Sequence, residues 1–483
     1  MRVNRLLLFA VVLGFAGLSL AVTDLHRYLA YDEAIYLSQV YPGPALPFTA
    51  PRSRGLPILL APLGWADAPL PVIRGYLLTV NAGLMYLGFN AWLPVLHRRA
   101  VAAAAVFAVA WLPIFYSTEA FPNLPVAFGA LAAAGYLARY LTRSTNDDVG
   151  SRRALIACGL ALAGTALVRP AEASFLTAGL AVVALTPRPR ELAVRWAALA
   201  IGLLIGWLPW LIEAQVRFGG PAARLRAASA NVGGGFHPEN LKYHLGYTDG
   251  PLGGIVRGGI PRLGELWWLI LVIAVLGLLG RVVAGRGGSL ERAGVIAAAG
   301  GIAAAVEYLF FTQVLEARFL LPAYALLTVA MVAALPRLSG PSAPRLAAAG
   351  SALALFAVFA HWQTGVAQRI EVQQVHDRLL AARLADVIRR QGGRPCFVAS
   401  DLAFPVIAFE TGCRGAVFHP DQVSALTTDD PPVYVLTRTD PERTETRAAP
   451  GTIRSLAADG AAGWWMFTAA TGQEILRSPK SRP

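Results

Sequence analysis

Long apolar segments alternate with short polar connections along most of the chain. A helix needs about 20 apolar residues to cross a bilayer, with roughly 17 to 25 as the range. By this criterion the pattern predicts an α-helical polytopic membrane protein of about eleven spans. The predicted spans are Leu6–Val22, Gly75–Leu93, Ala100–Tyr116, Asn123–Tyr140, Ala154–Val168, Ala173–Leu185, Trp196–Leu211, Leu266–Gly280, Ala293–Phe311, Phe319–Leu335 and Leu346–Trp362. The fifth and sixth are short and flank Arg169-Pro170, so a shallow hairpin is the alternative there.

Two connections are long and are predicted to be outer loops, at 23–74 and 213–262. The first contains the apolar stretch Gly55–Gly64, which is too short to cross a bilayer, and we expect it to lie on the outer surface. The second is rich in glycine, and long loops without clear structure are usually functional or disordered.

The chain becomes polar after residue 362, so the pattern predicts two domains, 1–362 in the membrane and 363–483 outside it. The second begins with a helical pattern between Val372 and Ile388. Short strand candidates follow at Cys396–Ala399, Ala416–Phe418, Val433–Thr437 and Trp465–Thr468. This succession is typical of a small α/β domain.

Composition agrees with the membrane class. Of 483 residues, 55% are hydrophobic and only 15% are charged, whereas soluble domains carry about 25% charged residues. The net charge of +13 does not indicate a nucleic-acid partner, because most arginines fall in the short connections, as topology signals do. If the spans alternate, these connections share one side, which the positive-inside rule makes the cytoplasm.

The predicted localisation is therefore a bacterial plasma (inner) membrane, with the N-terminus cytoplasmic and the C-terminal domain extracytoplasmic. The first segment could instead be a signal peptide, because Ser19-Leu20-Ala21 is similar to a cleavage site. Its apolar run is longer than a usual signal sequence, which favours a retained span. Either interpretation leaves Asp32 on the outer side.

An acidic pair, Asp32-Glu33, follows the first span by ten residues. Desolvating a carboxylate at a membrane surface is costly, so such groups tend to mark chemistry. One of the two would be a general base that takes a proton from an acceptor hydroxyl. In a helical turn Tyr36 would neighbour Asp32 at i, i+4. The alternative is an ordinary exposed pair at the start of a surface helix.

A second carboxylate, Glu119, lies in the short outer loop between the third and fourth spans. Carboxylates on two outer loops, Asp32 and Glu119, could share a divalent cation such as Mg²⁺ or Mn²⁺, or divide the roles of base and positioning group. The alternative for Glu119 is an acid that stabilises a helix N-terminus.

Two arginines are candidates for binding phosphate. Arg318 follows Glu316 at the outer start of the tenth span, and a guanidinium offers a permanent charge with a fork of donors. Arg169, close to Glu172, is a similar case. The alternatives are a Glu–Arg pair at the interface and a local Arg169–Glu172 pair.

Separately, an oxidising compartment would allow Cys396 and Cys413 to form a disulfide, which requires their Cα atoms to lie within about 7 Å.

Taken together, these residues resemble the multi-span glycosyltransferases of the GT-C superfamily, whose bacterial relatives include aminoarabinose transferases and protein O-mannosyltransferase-like enzymes. The matching elements are Asp32-Glu33 in the first outer loop, Glu119 in the second, and the segment Glu316–Pro322, an acid-x-Arg-aromatic-Leu-x-Pro element that opens a late span. The departures are Phe319, where tyrosine is common, and Glu119, where aspartate is frequent.

The resemblance implies transfer of a sugar from a polyprenyl-phosphate donor to an extracytoplasmic hydroxyl or amine, with inversion. It implies that Asp32 is the base with Glu33 beside it, that Glu119 assists the donor or a metal ion, and that Arg318 meets the phosphate. The acceptor would be a cell-envelope glycan, lipid or protein. We expect Asp32, Glu119 and Arg318 to line one outward-opening cavity. The alternative class is a transporter or flippase of lipid-linked intermediates, which would favour polar groups at mid-membrane and two related halves.

Overall fold

The computed structural model describes residues 1–142, 148–185, 189–244, 263–314, 316–336, 342–391, 396–400, 404–417, 433–437, 453–455 and 465–469. The part of the predicted outer loop at 245–262 lies outside the described residues, as do several connections of the C-terminal domain.

Helices make up most of the described chain. They are α1 (Arg2–Val22), α2 (Tyr31–Leu37), α3 (Gly55–Trp65), α4 (Leu70–Asn90), α5 (Leu93–Leu96), α6 (Arg98–Ala108), α7 (Trp111–Tyr116), α8 (Asn123–Thr142), α9 (Asp148–Val168), α10 (Pro170–Val183), α11 (Pro189–Phe218), α12 (Pro221–Asn231), α13 (Asn240–His244), α14 (Leu263–Val283), α15 (Ser289–Phe310), α16 (Leu321–Ala334), α17 (Ser342–Gln391) and α18 (Phe404–Thr411). A 3-10 helix, Ala317–Leu320, leads directly into α16.

Each predicted span coincides largely with helical residues. Gly75–Leu93 runs from α4 to the first residue of α5, Ala100–Tyr116 covers α6 and α7, and Phe319–Leu335 begins in the 3-10 helix before α16. Among the described residues, seven helices are long and apolar enough to cross a membrane: α1, α4, α8, α9, α11, α15, and α16 together with its preceding 3-10 turn. Shorter apolar helices are Gly55–Trp65, Pro170–Val183 and Trp268–Val283. The helical multi-span architecture expected from the apolar pattern is confirmed.

The predicted loop 213–262 has more secondary structure than its glycine content suggested. Helix α11 continues to Phe218, and α12 begins at Pro221 after Gly219 and Gly220, both with positive φ. Glycine allows that turn, and proline at the first helical position needs no hydrogen-bond acceptor for its nitrogen. The local sequence signal for a helix start was therefore present in the loop.

The chain divides into two compact units. Unit 1 comprises residues 1–25, 49–56 and 74–371, and unit 2 comprises residues 26–48, 57–73 and 372–483. The predicted boundary after residue 362 lies inside α17, because the helix continues without interruption to Gln391. Unit 2 also takes in parts of the first outer loop, an association of distant segments that no local pattern indicates.

Close helix packing in unit 1 depends on small residues. Helix α11 carries Gly202 and Gly206 four residues apart, and both face α9. A Cβ atom at Gly206 would lie 2.3 Å from the carbonyl oxygen of Ala163, and one at Gly202 would lie 2.4 Å from that of Gly159. Because lipid tails are as apolar as leucine, such backbone approach drives helix association within a membrane.

Unit 2 contains a five-stranded sheet of strands β1 (Phe397–Ser400), β2 (Arg414–Val417), β3 (Val433–Thr437), β4 (Ile453–Ser455) and β5 (Trp465–Ala469), in the order β2-β1-β3-β5-β4. Strand β1 is parallel to β2 and β3, whereas β5 is antiparallel to β3 and β4. Helix α18 supplies the crossover between β1 and β2 that parallel pairing requires. The α/β expectation is confirmed, and β4, three residues long, was not predicted.

Candidate functional site

Arg318 in unit 1 is held by an acid and by aromatic rings. Its Nη1 lies 3.1 Å from Oε2 of Glu316. Its guanidinium carbon lies 4.5 Å from the ring centre of Phe121, 5.2 Å from Phe319 and 6.0 Å from Tyr116. Cation–π contacts of this kind fix the plane of a guanidinium while its edges remain available for hydrogen bonds. The side chain is 12% exposed, so it is ordered but still accessible.

Arg169, the second candidate for binding phosphate, lies against the same ring. Its guanidinium carbon is 5.7 Å from the centre of Phe319, and its Nη1 is 3.6 Å from Oε1 of Glu172. Tyr308 stacks on Phe319 at 4.6 Å and donates a hydrogen bond to Glu172. The structure therefore brings Arg169 and Arg318, from distant segments, against the same Phe319 ring.

Glu119 is fully buried and pairs with an arginine. Its Oε1 lies 3.8 Å from Nη1 of Arg74, and neither side chain is exposed. Arg74 also donates to the carbonyl of Thr118 at 3.0 Å, and Asn81 donates to the carbonyl of Ser117 at 2.8 Å. Helix α4 thus supplies two donors that fix the loop carrying Glu119.

An apolar cavity of about 50 Å³ lies in unit 1 close to Arg318 along the chain. It is lined mainly by Val106, Phe107, Trp111, Leu112, Leu321, Tyr324, Thr328, Phe359 and Trp362. Gln363 accepts a hydrogen bond from the backbone N–H of Trp111 at 3.0 Å. Two of the lining helices, α7 and α16, lead to the aromatic residues and the 3-10 helix that hold Arg318.

Glu33, in unit 2, has contacts that give its carboxylate a structural role at the start of α2. Its Oε2 accepts a hydrogen bond from the backbone N–H of Ala30 at 2.9 Å, as a glutamate at the third position of a helix commonly does. The same oxygen lies 3.6 Å from Nη1 of Arg378, which donates to the carbonyl of Tyr28 at 3.1 Å. Glu33 is fully buried, so its carboxylate stabilises the start of α2.

Asp32 is the partly exposed member of the acidic pair. Tyr36, one helical turn later, is buried and packs edge-on against Phe48 at 6.0 Å. Asp32 belongs to unit 2, whereas Glu119 and Arg318 belong to unit 1, so their convergence on one cavity stays a prediction.

The described residues contain no group of three or more His, Cys, Asp or Glu side chains suited to a metal ion. A cation shared by Asp32 and Glu119 also stays a prediction.

The disulfide expected in unit 2 is present. Cys396 and Cys413 are bonded, with a Cα–Cα distance of 4.8 Å. They immediately precede β1 and β2, whose first residues, Phe397 and Arg414, are register partners. Because the strands are parallel neighbours, the residues before them must also lie side by side.

Comparison with solved structures identifies the architecture. The chain aligns with the crystal structure of ArnT from Cupriavidus metallidurans bound to undecaprenyl phosphate at a TM-score of 0.61 and 14% identity, over 98% of this chain and 99% of that one. The chain has the GT-C fold. The archaeal oligosaccharyltransferase AglB from Archaeoglobus fulgidus, in complex with an inhibitory peptide and a dolichol-phosphate, aligns at a TM-score of 0.51 and 14% identity, over 89% of this chain and 69% of that one.

The similarity is structural. No family model matches the sequence, and no curated protein matches it either. At 14% identity to the solved structures, the GT-C fold is preserved while most side chains differ.

Sequence reasoning gave the local pairs Glu316–Arg318 and Arg169–Glu172 as alternatives, and both are present, but it did not identify the more distant partners of the candidate residues. Arg74 was a detectable signal, since an arginine beside an apolar span requires compensation. Arg378 and Tyr308 had no such signal, because one lies in a polar helical pattern and the other is an ordinary aromatic residue within a span. Their contacts depend on segments more than one hundred residues apart.

Proposed function

We propose that the protein is a membrane glycosyltransferase that moves a sugar from a polyprenyl-phosphate donor to an acceptor hydroxyl or amine outside the cytoplasm. The observation that carries this proposal is Arg318, a guanidinium fixed by Glu316 and three aromatic rings within a GT-C fold. ArnT, which shares the fold over nearly its whole length, was solved with undecaprenyl phosphate.

In the proposed reaction the acceptor oxygen or nitrogen attacks the anomeric carbon, and the bond from that carbon to the phosphate oxygen breaks. The electron pair leaves with the polyprenyl phosphate, whose growing negative charge Arg318 stabilises. Asp32 takes the proton from the attacking acceptor group. Attack opposite the leaving phosphate inverts the anomeric configuration.

The contacts distinguish roles within the candidate set. Asp32 is the better candidate for the base because Glu33 is buried and committed to the start of α2. Arg169 shares the Phe319 ring with Arg318 and is proposed as a second contact to the donor phosphate.

We also propose that the protein lies in the bacterial plasma membrane with unit 2 outside the cytoplasm. The Cys396–Cys413 disulfide supports this orientation, because disulfides persist in oxidising compartments. Polyprenyl-phosphate sugars are used where the lipid carrier presents its head group, which places the chemistry at the membrane surface. We further propose that a divalent cation, Mg²⁺ or Mn²⁺, aids the departure of the donor phosphate.

The test is transfer by full-length protein in proteoliposomes supplied with a panel of polyprenyl-phosphate sugars. Asp32→Asn and Arg318→Ala should each reduce turnover at least 100-fold, the range expected for losing a general base or an electrostatic contact to the leaving group. The matched controls are Asp386→Asn and Arg226→Ala, which alter an exposed acid and an exposed arginine. Full transfer by both test variants would refute the proposed mechanism; movement of the lipid-linked sugar across the bilayer without transfer would favour a flippase.

A further inference from the structure

Helix α2, which carries Asp32, is only seven residues long. An isolated helix shorter than about 12 residues is marginal in water, because few hydrogen bonds offset the cost of nucleation. The orientation of Asp32 must therefore come from contacts that α2 makes with other segments of unit 2. Both residues that flank Asp32 in the sequence, Tyr31 and Glu33, contact helices from the C-terminal part of the chain.

The residue before Asp32 contacts helix α18. The ring of Tyr31 packs edge-on against that of Phe404, with 5.7 Å between the ring centres. Phe404, at the first position of α18, is buried, whereas Tyr31 is 40% exposed. An edge-on pair is directional, because the positive edge of one ring faces the negative face of the other. The contact therefore fixes Tyr31 in direction as well as in distance.

The residue after Asp32 contacts helix α17. Nη1 of Arg378 lies 3.6 Å from Oε2 of Glu33 and donates to the carbonyl of Tyr28 at 3.1 Å. Both charged side chains are buried, so water competes little for the pair. Arg378 therefore holds both the segment that enters α2 and the third residue of the helix.

These two contacts determine where Asp32 points. Successive residues of an α-helix are separated by about 100° around its axis. Viewed along the axis of α2, the side chain of Asp32 therefore lies between those of Tyr31 and Glu33. Contacts on both sides prevent α2 from rotating, so Asp32, which is partly exposed, keeps one direction.

Helix α18 is a rigid partner because the chain before it and the chain after it are joined. The Cys396–Cys413 disulfide closes the segment that contains the helix. The backbone N–H of Cys413 donates to the carbonyl of Ala408 at 3.1 Å, and that of Arg414 donates to the carbonyl of Cys396 at 3.0 Å. Gly415 lets α18 lie close to β2, since a Cβ atom there would lie 2.8 Å from that of Ala408. The disulfide-bonded segment thus presents its contact to α2 from a fixed position.

We propose that Phe404 and Arg378 are positioning residues, through which the C-terminal part of unit 2 holds α2 so that Asp32 is directed at the acceptor group. This inference rests on the proposed function, in which Asp32 takes the proton from the acceptor. A general base must lie within hydrogen-bond reach of the proton that it takes, and a displacement of about 1 Å can reduce the rate about 100-fold. The α/β part of the chain then contributes to the reaction without touching the substrate.

The experiment measures hydrogen exchange and sugar transfer with full-length protein in proteoliposomes, using the undecaprenyl-phosphate sugar that the unsubstituted protein transfers. Phe404→Leu keeps the buried position apolar but removes the ring. The backbone amides of residues 34–38, at the hydrogen-bonded end of α2, should exchange about fivefold faster, as expected for the loss of one edge-on aromatic pair. The kcat of transfer should fall about tenfold, whereas the KM for the donor should change less than twofold, because donor binding is not altered.

The matched control is Phe409→Leu, which is the same change on the same helix. Phe409 packs edge-on against Tyr41 at 5.8 Å, and Tyr41 lies beyond the end of α2, so kcat should change less than twofold. Arg378 provides an independent pair of variants. Arg378→Gln should lower kcat about tenfold, and Arg378→Lys, which keeps a positive charge opposite Glu33, should restore most of the loss. Unfolding temperatures of all variants establish that transfer is measured on folded protein.

The decisive measurement combines Phe404→Leu with Asp32→Asn. A residue that acts through Asp32 has no further effect once the base is removed, so Phe404→Leu should lower kcat less than twofold in the Asp32→Asn background. An equal loss in both backgrounds would show a general structural effect, and unchanged exchange of residues 34–38 would show that Phe404 does not hold α2. Either result would overturn this inference alone. Full transfer by Asp32→Asn would instead overturn the proposed function and, with it, the positioning role.

Discussion

The buried pair of Arg74 and Glu119 allows a structural role of Glu119 to be separated from a role as a metal ligand. At the observed 3.8 Å separation, an effective dielectric constant near 20 gives an attraction of about 4 kcal/mol. Glu119→Gln removes that attraction and leaves Arg74 charged in a fully buried position. Removing one partner of such a pair costs about 3–5 kcal/mol, so we expect a loss of stability in that range.

The assay is a double-mutant cycle with Glu119→Gln, Arg74→Met and the double variant, using unfolding of the purified protein in detergent. The double variant should be more stable than the sum of the single losses predicts, with a coupling of about 2–4 kcal/mol. Glu316→Gln is the control, because its partly exposed ion pair should contribute no more than about 1 kcal/mol. Additive losses, or a loss below about 1 kcal/mol in Glu119→Gln, would refute the structural role. A metal ligand would instead show weaker activation by added Mg²⁺ or Mn²⁺ at unchanged stability.

Three further predictions concern packing, the disulfide and pH. Gly206→Ala should impair packing of α11 on α9, because the added Cβ atom would lie 2.3 Å from a carbonyl oxygen; a lowered unfolding temperature checks this, and Gly277→Ala, with nothing near the added atom, is the control. Cys396→Ser should destabilise unit 2 by about 3 kcal/mol, from the loop entropy of a 17-residue separation, and a reducing agent should affect only the unsubstituted protein. Burial lowers the pKa of His244 to about 4. Because this pKa lies below the usual value of about 6.5, the contribution of neutral His244 to the stability of α13 should be fully present above pH 6.5 and be lost as the pH falls toward 4. Hydrogen exchange of residues 240–244, corrected for intrinsic rates, should therefore accelerate at pH 5. Unchanged protection at pH 5 would contradict this prediction.

The membrane architecture could be predicted from the sequence because it depends on a local quantity. A span must satisfy its backbone hydrogen bonds internally and face lipid with apolar side chains, so length and hydropathy alone indicate it. The strands β1, β2, β3 and β5 were predicted for a similar reason, since short β-branched and aromatic segments between polar residues are local signals. The extent of α17 was not, because the apolar span that ends at Trp362 and the helical pattern that begins at Val372 are separate signals, and the residues between them do not show whether the helix is continuous.

The candidate site also shows this difference between properties that the local sequence indicates and properties that depend on distant segments. Residue type and order within the sequence were sufficient to single out Asp32, Glu119 and Arg318 as candidates. Only the tertiary structure decided that Glu33 is committed to the start of α2, that Glu119 pairs with Arg74, and that Arg318 lies among aromatic rings. The reason is physical: a carboxylate or guanidinium has the same intrinsic chemistry wherever it occurs, and its function depends on partners and burial that distant segments provide.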